Sequence, residues 1–241
     1  MERIIYDRMA ALDQTHWWYV ARRQILSDVI GRIIKPPTNA KILEIGCGTG
    51  HNFEMLGAFG AVDGLEVDDA AREFASERLG RTVGSARLPG LDGIADGSYD
   101  LIALLDVLEH VEADQAALAS IRTKLRPGGR ILVTVPANRW MWSAHDTVHH
   151  HFRRYNAADL NRVIDSSGLK ADLVTHFNTI LFPLAAAFRV IGKLSGREEA
   201  DDAQPAALLN AAFASLFGLE RHLVGRLPMP FGVSLLAVLS A

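Results

Sequence analysis

Disulfides, membrane spans and a basic surface are all missing from this sequence. It has one cysteine, Cys47, among 241 residues, which excludes an intramolecular disulfide and a zinc site built from several thiolates. No apolar run approaches the ~18 residues of a membrane-spanning helix, and the N-terminal residues lack the apolar stretch of a signal peptide, so a cytoplasmic protein is expected. The 25 basic and 28 acidic residues give a net charge of −3, which argues against general nucleic-acid binding.

Short apolar segments alternate with helical patterns through the middle of the chain. The segments that begin at Lys41, Ala61, Ser98 and Arg130 are nearly continuous in apolar residues, which is typical of strands buried on both faces. A shorter strand is expected near Val83. Because helical patterns separate the strands, the sequence predicts a doubly wound α/β fold with a mostly parallel sheet. Ligands of such sheets bind beyond the carboxyl ends of the strands, so functional residues are expected there.

We interpret the chain as a single domain in three parts. Residues 1–36 have the apolar spacing of helices, residues 37–137 form the α/β core, and residues 138–241 add helices and the last strands. The apolar segments 179–195 and 206–219 are too short or interrupted to cross a bilayer. They are interpreted as a cap over a substrate, a dimer surface or an interfacial anchor, besides ordinary packing.

A glycine-rich loop follows the first strand of the core. From Glu44 to Gly50 it has the pattern E-x-G-x-G-x-G, and glycines at such a turn allow a ligand to approach the backbone closely. Glu66 ends the next strand 20 residues after Gly46, about the spacing of a carboxylate that binds ribose hydroxyls. A dinucleotide site needs a small residue where this chain has His51, and Glu44 would repel a pyrophosphate. A ligand with an ammonium group, a carboxylate and a ribose therefore fits better than NAD.

Together these motifs resemble class I S-adenosylmethionine-dependent methyltransferases. The glycine loop, the acidic end of the second strand and LRPGGRILVTVP carry the resemblance over residues 41–137, while HWWYVARR, DVLEHV and HFRRY are similar to a type-11 and ubiquinone-biosynthesis subgroup. The resemblance implies a seven-stranded, mostly parallel Rossmann-like sheet with N-terminal lid helices and a C-terminal helical cap. It also implies an enzyme that transfers a methyl group from S-adenosylmethionine to a small or lipophilic acceptor. Oxygen is the favoured acceptor atom, with carbon and nitrogen left open.

The resemblance also implies cofactor contacts, residue by residue. The family's acidic contact to the adenine amine is missing, because Ser85 follows Gly84, and Ser85 is expected to replace it. Arg22, or its neighbour Arg23, is expected to meet the methionine carboxylate, and Cys47 is expected mainly to pack. The expected cofactor-binding residues are Glu44, Gly46, Cys47, Gly48, Gly50, Glu66, Val67, Ser85, Ala86, Asp106, Val107 and Arg22.

Aromatic residues and histidines are expected to form the acceptor pocket. The four tryptophans lie just before the core and just after its last parallel strand, where they can converge over the carboxyl ends of the strands. A hydroxyl acceptor needs a base near neutral pH, and histidine is suited to that role. His151 is the favoured base because the resemblance places its motif at the substrate region, followed by His110 and His145. The expected substrate-binding residues are Trp17, Trp18, Trp142, Arg154 and Tyr155.

Several alternatives stay open. Asp146 and the histidines around it could supply metal ligands, but adjacent histidines on one loop seldom face one point, so no metal is expected. The rival functions are a non-catalytic protein that binds S-adenosylmethionine and an NAD-dependent oxidoreductase. The expected partner is a small-molecule or lipid-like acceptor, with peripheral membrane contact open and a monomer or homodimer as the assembly. The acceptor is not identified, because acceptor pockets are built from the variable cap.

Overall fold

A six-stranded sheet lies at the centre of the computed structural model, which describes residues 10–195 and 204–241. Its strands are β1 (Ala40–Ile45), β2 (Gly60–Leu65), β3 (Tyr99–Leu105), β4 (Leu125–Pro136), β5 (Lys170–Phe177) and β6 (Ser234–Ser240). The spatial order is β2, β1, β3, β4, β6, β5. The first four strands are parallel, and β6 runs antiparallel to both β4 and β5. The predicted α/β fold with a mostly parallel sheet is confirmed.

Helices lie on both faces of the sheet. Short 3₁₀ turns at Leu108–His110, Arg139–Met141 and Leu219–His222 follow several of the elements, and one π-helical turn at Ile30–Ile34 extends the first helix. The α-helices are α1 (Trp17–Val29), α2 (Phe53–Gly57), α3 (Asp69–Leu79), α4 (Asp114–Lys124), α5 (Ala144–Val148), α6 (Ala157–Ser166), α7 (Phe182–Ser195) and α8 (Ala207–Gly218).

Two apolar clusters form the core, one on each face of the sheet, because successive side chains of a strand point to opposite faces. Ile42 and Leu101 belong to the cluster that contains residues of α1 and α2. Their chain neighbours Leu43 and Ile102 belong to the cluster that contains residues of α4 and α6. Burial on both faces explains why the parallel strands are apolar almost throughout rather than alternating.

The strand count differs from the expected one. The resemblance implies seven strands, whereas the described residues form six. At the expected position near Val83, the chain makes only an isolated parallel bridge between Leu65 and Gly84, with Gly84 N–H donating to Gly64 O at 2.9 Å and Glu66 N–H to Gly84 O at 3.0 Å. The residues that follow include the exposed Ser85 and several turn formers. They lack the buried side chains that would extend the pairing.

The last parallel strand begins earlier than the sequence interpretation places it. The apolar segment was expected to begin at Arg130, whereas β4 begins at Leu125, directly after α4 ends at Lys124. The residue before Pro127 favours extended backbone, which explains the early start of the strand. Residues 1–9 of the expected lid and residues 196–203 of the polar linker lie outside the described residues.

The two apolar helices of the C-terminal part pack differently. Helix α7 contains no buried side chain, whereas α8 packs on α1, with the rings of Phe213 and Trp17 5.5 Å apart. No helix among residues 10–195 and 204–241 has both the length and the hydropathy needed to cross a bilayer.

Gly60, the first residue of β2, is expected to be essential for the pairing of β1 with β2. A Cβ at this position would lie 2.0 Å from the carbonyl oxygen of Ala40, its partner in the register. Gly60→Ala should therefore lower the free energy of unfolding by about 3 kcal/mol or more, measured by urea unfolding. Gly57→Ala is the matched control, since an added Cβ meets nothing within 4 Å and alanine favours the helix. Equal stabilities of the two variants would contradict the prediction.

Candidate active site

The glycine loop follows β1 and leaves unfilled space beside its backbone. Gly46, Gly48 and Gly50 all have positive φ angles, of 68°, 55° and 78°, which side-chain-bearing residues rarely adopt. At Gly46 a Cβ would lie 2.6 Å from Cγ2 of Val107, so this glycine is needed for close packing. At Gly48 a Cβ would meet nothing within 4 Å. The loop therefore leaves space beside Gly48 that a ligand could fill.

Glu66 holds the loop against the end of β2. Its side chain is buried and accepts hydrogen bonds from the backbone N–H groups of Gly48 at 2.9 Å, Val67 at 2.7 Å and Asp68 at 2.9 Å. A carboxylate has about four acceptor sites, so capacity remains for a ligand hydroxyl. The structure thus brings Glu66 and the glycine-rich loop together. This is expected, because parallel strands end at the same edge of a sheet.

Glu44 is buried without a cation. Asn52 Nδ2 donates to its Oε1 at 2.7 Å, but Oε2 has no hydrogen-bond partner. Burial raises the pKa of Glu44 to about 7, and the negative charge of Glu66 adds to this effect, while the Asn52 hydrogen bond and Arg22 oppose it. An orphaned buried acceptor of this kind is suited to an ammonium group of a ligand.

Polar nitrogens without partners also occur on α1 and at His51, the residue that follows the loop. Nη1 of Arg23 and both ring nitrogens of His51 are buried and have no hydrogen-bond partner. Burial lowers the pKa of His51, and the charges of Arg22 and Arg23 lower it further. The Tyr19 ring of α1 meets the His51 ring edge-to-face, with centroids 5.2 Å apart, so α1 lies beside the loop. Arg23 Nη1 and the one protonated nitrogen of the neutral His51 ring could hold a carboxylate, a role of His51 that sequence reasoning missed.

Arg22 ties α1 to the sheet. Its buried Nη2 donates to Asp106 Oδ2 at 2.5 Å and to Thr134 Oγ1 at 2.8 Å, and its guanidinium lies 4.9 Å from the centre of the Trp18 ring. The structure therefore places Arg22 at the ends of β3 and β4. Nε of Arg22 and Nη1 of Arg23, the alternative considered from the sequence, are both buried without a hydrogen-bond partner.

The other expected cofactor contacts line the same edge. Val67 is 49% exposed, and the bridge at Gly84 places Ser85 and Ala86 after the chain segment that pairs with the end of β2. Asp106 and Val107 directly follow β3. Cys47 is buried, and burial together with the charges of Glu44 and Glu66 raises the pKa of its thiol. A buried thiol of this kind packs and is inert.

On the acceptor side, the three candidate bases lie together. The rings of His110 and His151 are 4.6 Å apart, and those of His145 and His151 are 6.1 Å apart. Nδ1 of His151 lies 2.9 Å from Oδ1 of the fully buried Asp146. Burial lowers the pKa of His110 to about 4, with His151 and His149 adding to the effect. His110 is therefore a weak base at neutral pH.

Glu109 adds a second buried carboxylate to this cluster. Neither of its oxygens has a hydrogen-bond partner, and burial, followed by the charge of Asp106, raises its pKa well above the ordinary value. One possible ligand atom from each of Glu109, His110 and His151 lies within 4.8 Å of the others. These donors could transfer protons or hold a cation. Sequence reasoning missed Glu109, although it lies within the quoted motif DVLEHV.

Most of the expected substrate-binding residues have internal contacts. The Trp17 ring packs against Phe213 and Phe217 of α8, while Trp18 and Trp142 are half-buried. The buried Arg154 donates to Asp146 Oδ1 at 2.7 Å and to Ala137 O at 3.0 Å, and the buried Tyr155 hydroxyl donates to Asp114 Oδ2 at 2.8 Å. In the structure Arg154 and Tyr155 thus hold the buried carboxylates of Asp146 and Asp114 in place.

Glu44→Gln is expected to stabilise the ligand-free protein at about pH 8. The pKa of Glu44 rises from 4.5 to about 7 on folding, so the folded state binds more protons and the wild type loses stability as the pH rises through this range. The neutral amide avoids this loss, which is of the order of 3 kcal/mol. Urea unfolding should show the gain at about pH 8 and no gain near pH 4. Glu54→Gln, at an exposed position, is the control, and equal stability of wild type and E44Q at the higher pH would contradict the prediction.

Comparison with known proteins gives sequence relatives over much of the chain. It is 26% identical over 228 residues to the O-methyltransferase cnsE of Penicillium expansum, covering 80% of this chain and 77% of the relative. It is 34% identical over 101 residues to the mitochondrial ubiquinone biosynthesis O-methyltransferase of Schizosaccharomyces pombe, covering 39% of this chain and 37% of the relative. A relative from Mycolicibacterium smegmatis, named as an S-adenosylmethionine-dependent methyltransferase, is 26% identical over 165 residues, covering 67% of this chain. The chain spans only 62% of that relative's length.

The fold is also shared with solved structures. An S-adenosylmethionine-dependent methyltransferase from Mesorhizobium loti superposes with a TM-score of 0.59 at 17% identity, covering 95% of this chain and 99% of the other. Identity this low shows the fold alone. A family model described as a methyltransferase domain matches residues 17–174, which include the glycine loop, Glu66 and the histidine cluster. The chain belongs to this methyltransferase domain family.

Proposed function

We propose that this chain is an S-adenosylmethionine-dependent methyltransferase that methylates an oxygen atom of a small or lipophilic acceptor. The observation that carries the proposal is Glu44, a buried carboxylate with one orphaned oxygen beside an open glycine loop. A dinucleotide would bring a second negative charge to this carboxylate, whereas an amino acid ammonium group would neutralise it. The O-methyltransferase names of two relatives support oxygen as the acceptor atom.

The residues around the loop match the polar groups of this cofactor. Glu44 Oε2 would accept from the ammonium group, Arg23 Nη1 and His51 would donate to the carboxylate, and Glu66 would accept from the ribose hydroxyls. Val67, Ser85 and Ala86 would flank the adenine. When bound, S-adenosylmethionine supplies a methyl group already activated by a positively charged sulfur. The remaining task of the protein is to hold the acceptor in line and to remove its proton.

His151 is the proposed base. It lies in a cluster with His110 and Glu109, and it is the member whose Nδ1 is hydrogen-bonded to a buried carboxylate. His110 is less suited, since its pKa of about 4 makes it a weak proton acceptor. His151 would take the hydroxyl proton as the oxygen forms its bond to the methyl carbon.

The exposed apolar surface of α7 is an argument for a lipophilic acceptor. Three of its apolar side chains are largely exposed, namely Phe188 at 64%, Ile191 at 62% and Leu194 at 84%. The helix borders the acceptor side, because Lys193 Nζ donates to the carbonyl oxygen of Trp140 at 2.6 Å. A lipophilic substrate would cover this apolar surface beside the reacting groups.

A label-partition assay tests the function. The protein is incubated with methyl-labelled S-adenosylmethionine and a lipid-containing cell extract, and the organic and aqueous phases are counted. Protein-dependent label in the organic phase supports the lipophilic acceptor, and label in the aqueous phase replaces it by a polar one. Binding of S-adenosylhomocysteine without any transfer favours the non-catalytic alternative. Binding of NADH instead would overturn the choice of cofactor.

Glu66→Ala is expected to weaken binding of S-adenosylhomocysteine about 10- to 100-fold, because charge-assisted hydrogen bonds to the ribose are lost. Isothermal titration calorimetry measures the affinity. Glu66→Gln keeps the acceptor oxygen without the charge and should give a smaller loss. Glu73→Ala, at an exposed position of α3, is the control. Unchanged affinity in E66A would exclude the ribose role.

His151→Asn is expected to lower turnover by about 10²–10⁴ while leaving the affinity for S-adenosylhomocysteine unchanged. Asparagine keeps an amide donor for Asp146 but cannot accept the proton, so the surrounding contacts are largely preserved. The label-partition assay gives the rate, and calorimetry gives the affinity. The control is His150→Asn, because His150 is exposed and has a φ of 55°, which asparagine tolerates. A turnover of H151N close to the wild type would remove His151 from the mechanism.

A further inference from the structure

Asp146 is the most completely bonded carboxylate of the acceptor side. Although it is fully buried, its Oδ2 accepts from the backbone N–H of Ser143 at 2.9 Å. Its Oδ1 lies 2.9 Å from Nδ1 of His151 and accepts from Nε of Arg154 at 2.7 Å. A second Arg154 nitrogen donates to Ala137 O at 3.0 Å, directly after β4. The carboxylate is therefore held in place by the sheet through Arg154.

These contacts keep Asp146 ionised. Burial alone would raise its pKa, but the hydrogen bond from His151, the charge and hydrogen bond of Arg154 and the Ser143 N–H together lower it well below the ordinary value. An ionised carboxylate has only acceptor sites, so Nδ1 of His151 must carry the hydrogen of this bond. In neutral His151 the lone pair then lies on Nε2.

The surroundings of His151 contain several other titratable groups. His110 and Glu109 face it from the turn after β3, and His145 and His149 face it from α5 and the residue that follows, with ring distances of 6.1 and 6.0 Å. Asp146 and Arg154 complete the set. Asp146 is hydrogen-bonded to Nδ1 of the His151 ring at 2.9 Å. It is therefore placed to select the tautomer.

We propose that Asp146 is a positioning residue that keeps the proton of His151 on Nδ1, so that Nε2 accepts the proton of the acceptor hydroxyl. This inference rests on the proposed function and extends it to a residue outside the reacting groups. In the step, the acceptor O–H bond breaks and the oxygen forms a bond to the methyl carbon. The sulfur–methyl bond breaks at the same time, its electron pair stays on sulfur, and the proton is left on Nε2. Asp146 then stabilises the imidazolium ion.

The tautomer is measured directly in the wild-type protein. Long-range ¹H–¹⁵N correlation spectra of protein labelled with ¹⁵N-histidine distinguish a protonated from an unprotonated ring nitrogen, and the spectrum of H151N identifies the His151 signals. We expect Nδ1 of neutral His151 to be protonated and Nε2 unprotonated. A proton on Nε2, or an averaged pair of signals, overturns the proposal. This readout requires no acceptor, so it stands apart from any failure of the proposed function.

Asp146→Asn tests the consequence for turnover. The loss of the carboxylate should lower the plateau of kcat by about 10²–10⁴, because the tautomer is no longer fixed and the imidazolium is no longer stabilised. Affinity for S-adenosylhomocysteine and the melting temperature report whether the fold is retained. A merely structural role predicts a changed melting temperature with unchanged ring signals of His151, and that result overturns the proposal. Asp159→Asn, on α6, is the control, since Asp159 pairs with Arg139 and Arg162 and not with the cluster.

The competing explanation of the cluster is a bound cation. Glu109, His110 and His151 could supply ligands to one ion, in which case Nε2 would not be free to take a proton. Elemental analysis of the purified protein, followed by spectra with and without EDTA, distinguishes a bound cation from a free histidine base. A stoichiometric metal ion whose removal shifts the His151 signals overturns the proposal, and spectra unaffected by EDTA support it.

Discussion

A buried carboxylate must be hydrogen-bonded, matched with a cation or neutralised by a proton, and this constraint shapes the functional end of the sheet. Glu66 is satisfied by three backbone N–H groups, and Asp146 by His151, Arg154 and Ser143. Glu44 and Glu109 keep orphaned oxygens. The satisfied carboxylates hold the loops in place, and the unsatisfied ones mark positions where a ligand or a proton is required.

Two further ion pairs determine the position of the N-terminal helix. Arg22 joins α1 to Asp106 after β3, and Asp13, just before α1, pairs with Arg78 of α3 at 2.6 Å. Because both ion pairs are wholly or partly buried, breaking either would leave a charge without its partner. The helix is therefore held beside the glycine loop, where Arg23 Nη1 and the His51 ring nitrogens are buried without partners. In the proposed function this lid excludes water from the reacting groups.

Much of the site could be predicted from local sequence. Gly46, Gly48 and Gly50 have the positive φ angles that their spacing indicates, and Glu66 lies against the loop because parallel strands end at one edge of a sheet. The seventh strand was not confirmed among the described residues, because the chain at Val83 and Gly84 makes only an isolated bridge to the end of β2. Asp146 was considered only as a metal ligand, since nothing in the local pattern shows that Arg154 and Ser143 also bind it.

The sequence by itself determined the layered α/β architecture, the end of the sheet that carries the site, and the family. These depend on apolar periodicity, on glycines at a turn and on residue spacing, all of which are properties of neighbouring residues. The tertiary structure alone decided which charges are paired. Arg22 rather than Arg23 contacts Asp106, Arg154 lies behind His151, and Glu44 and Glu109 remain without cations. Such pairings join residues that are far apart in the chain, and their energies depend on burial, which exists only once the chain has folded.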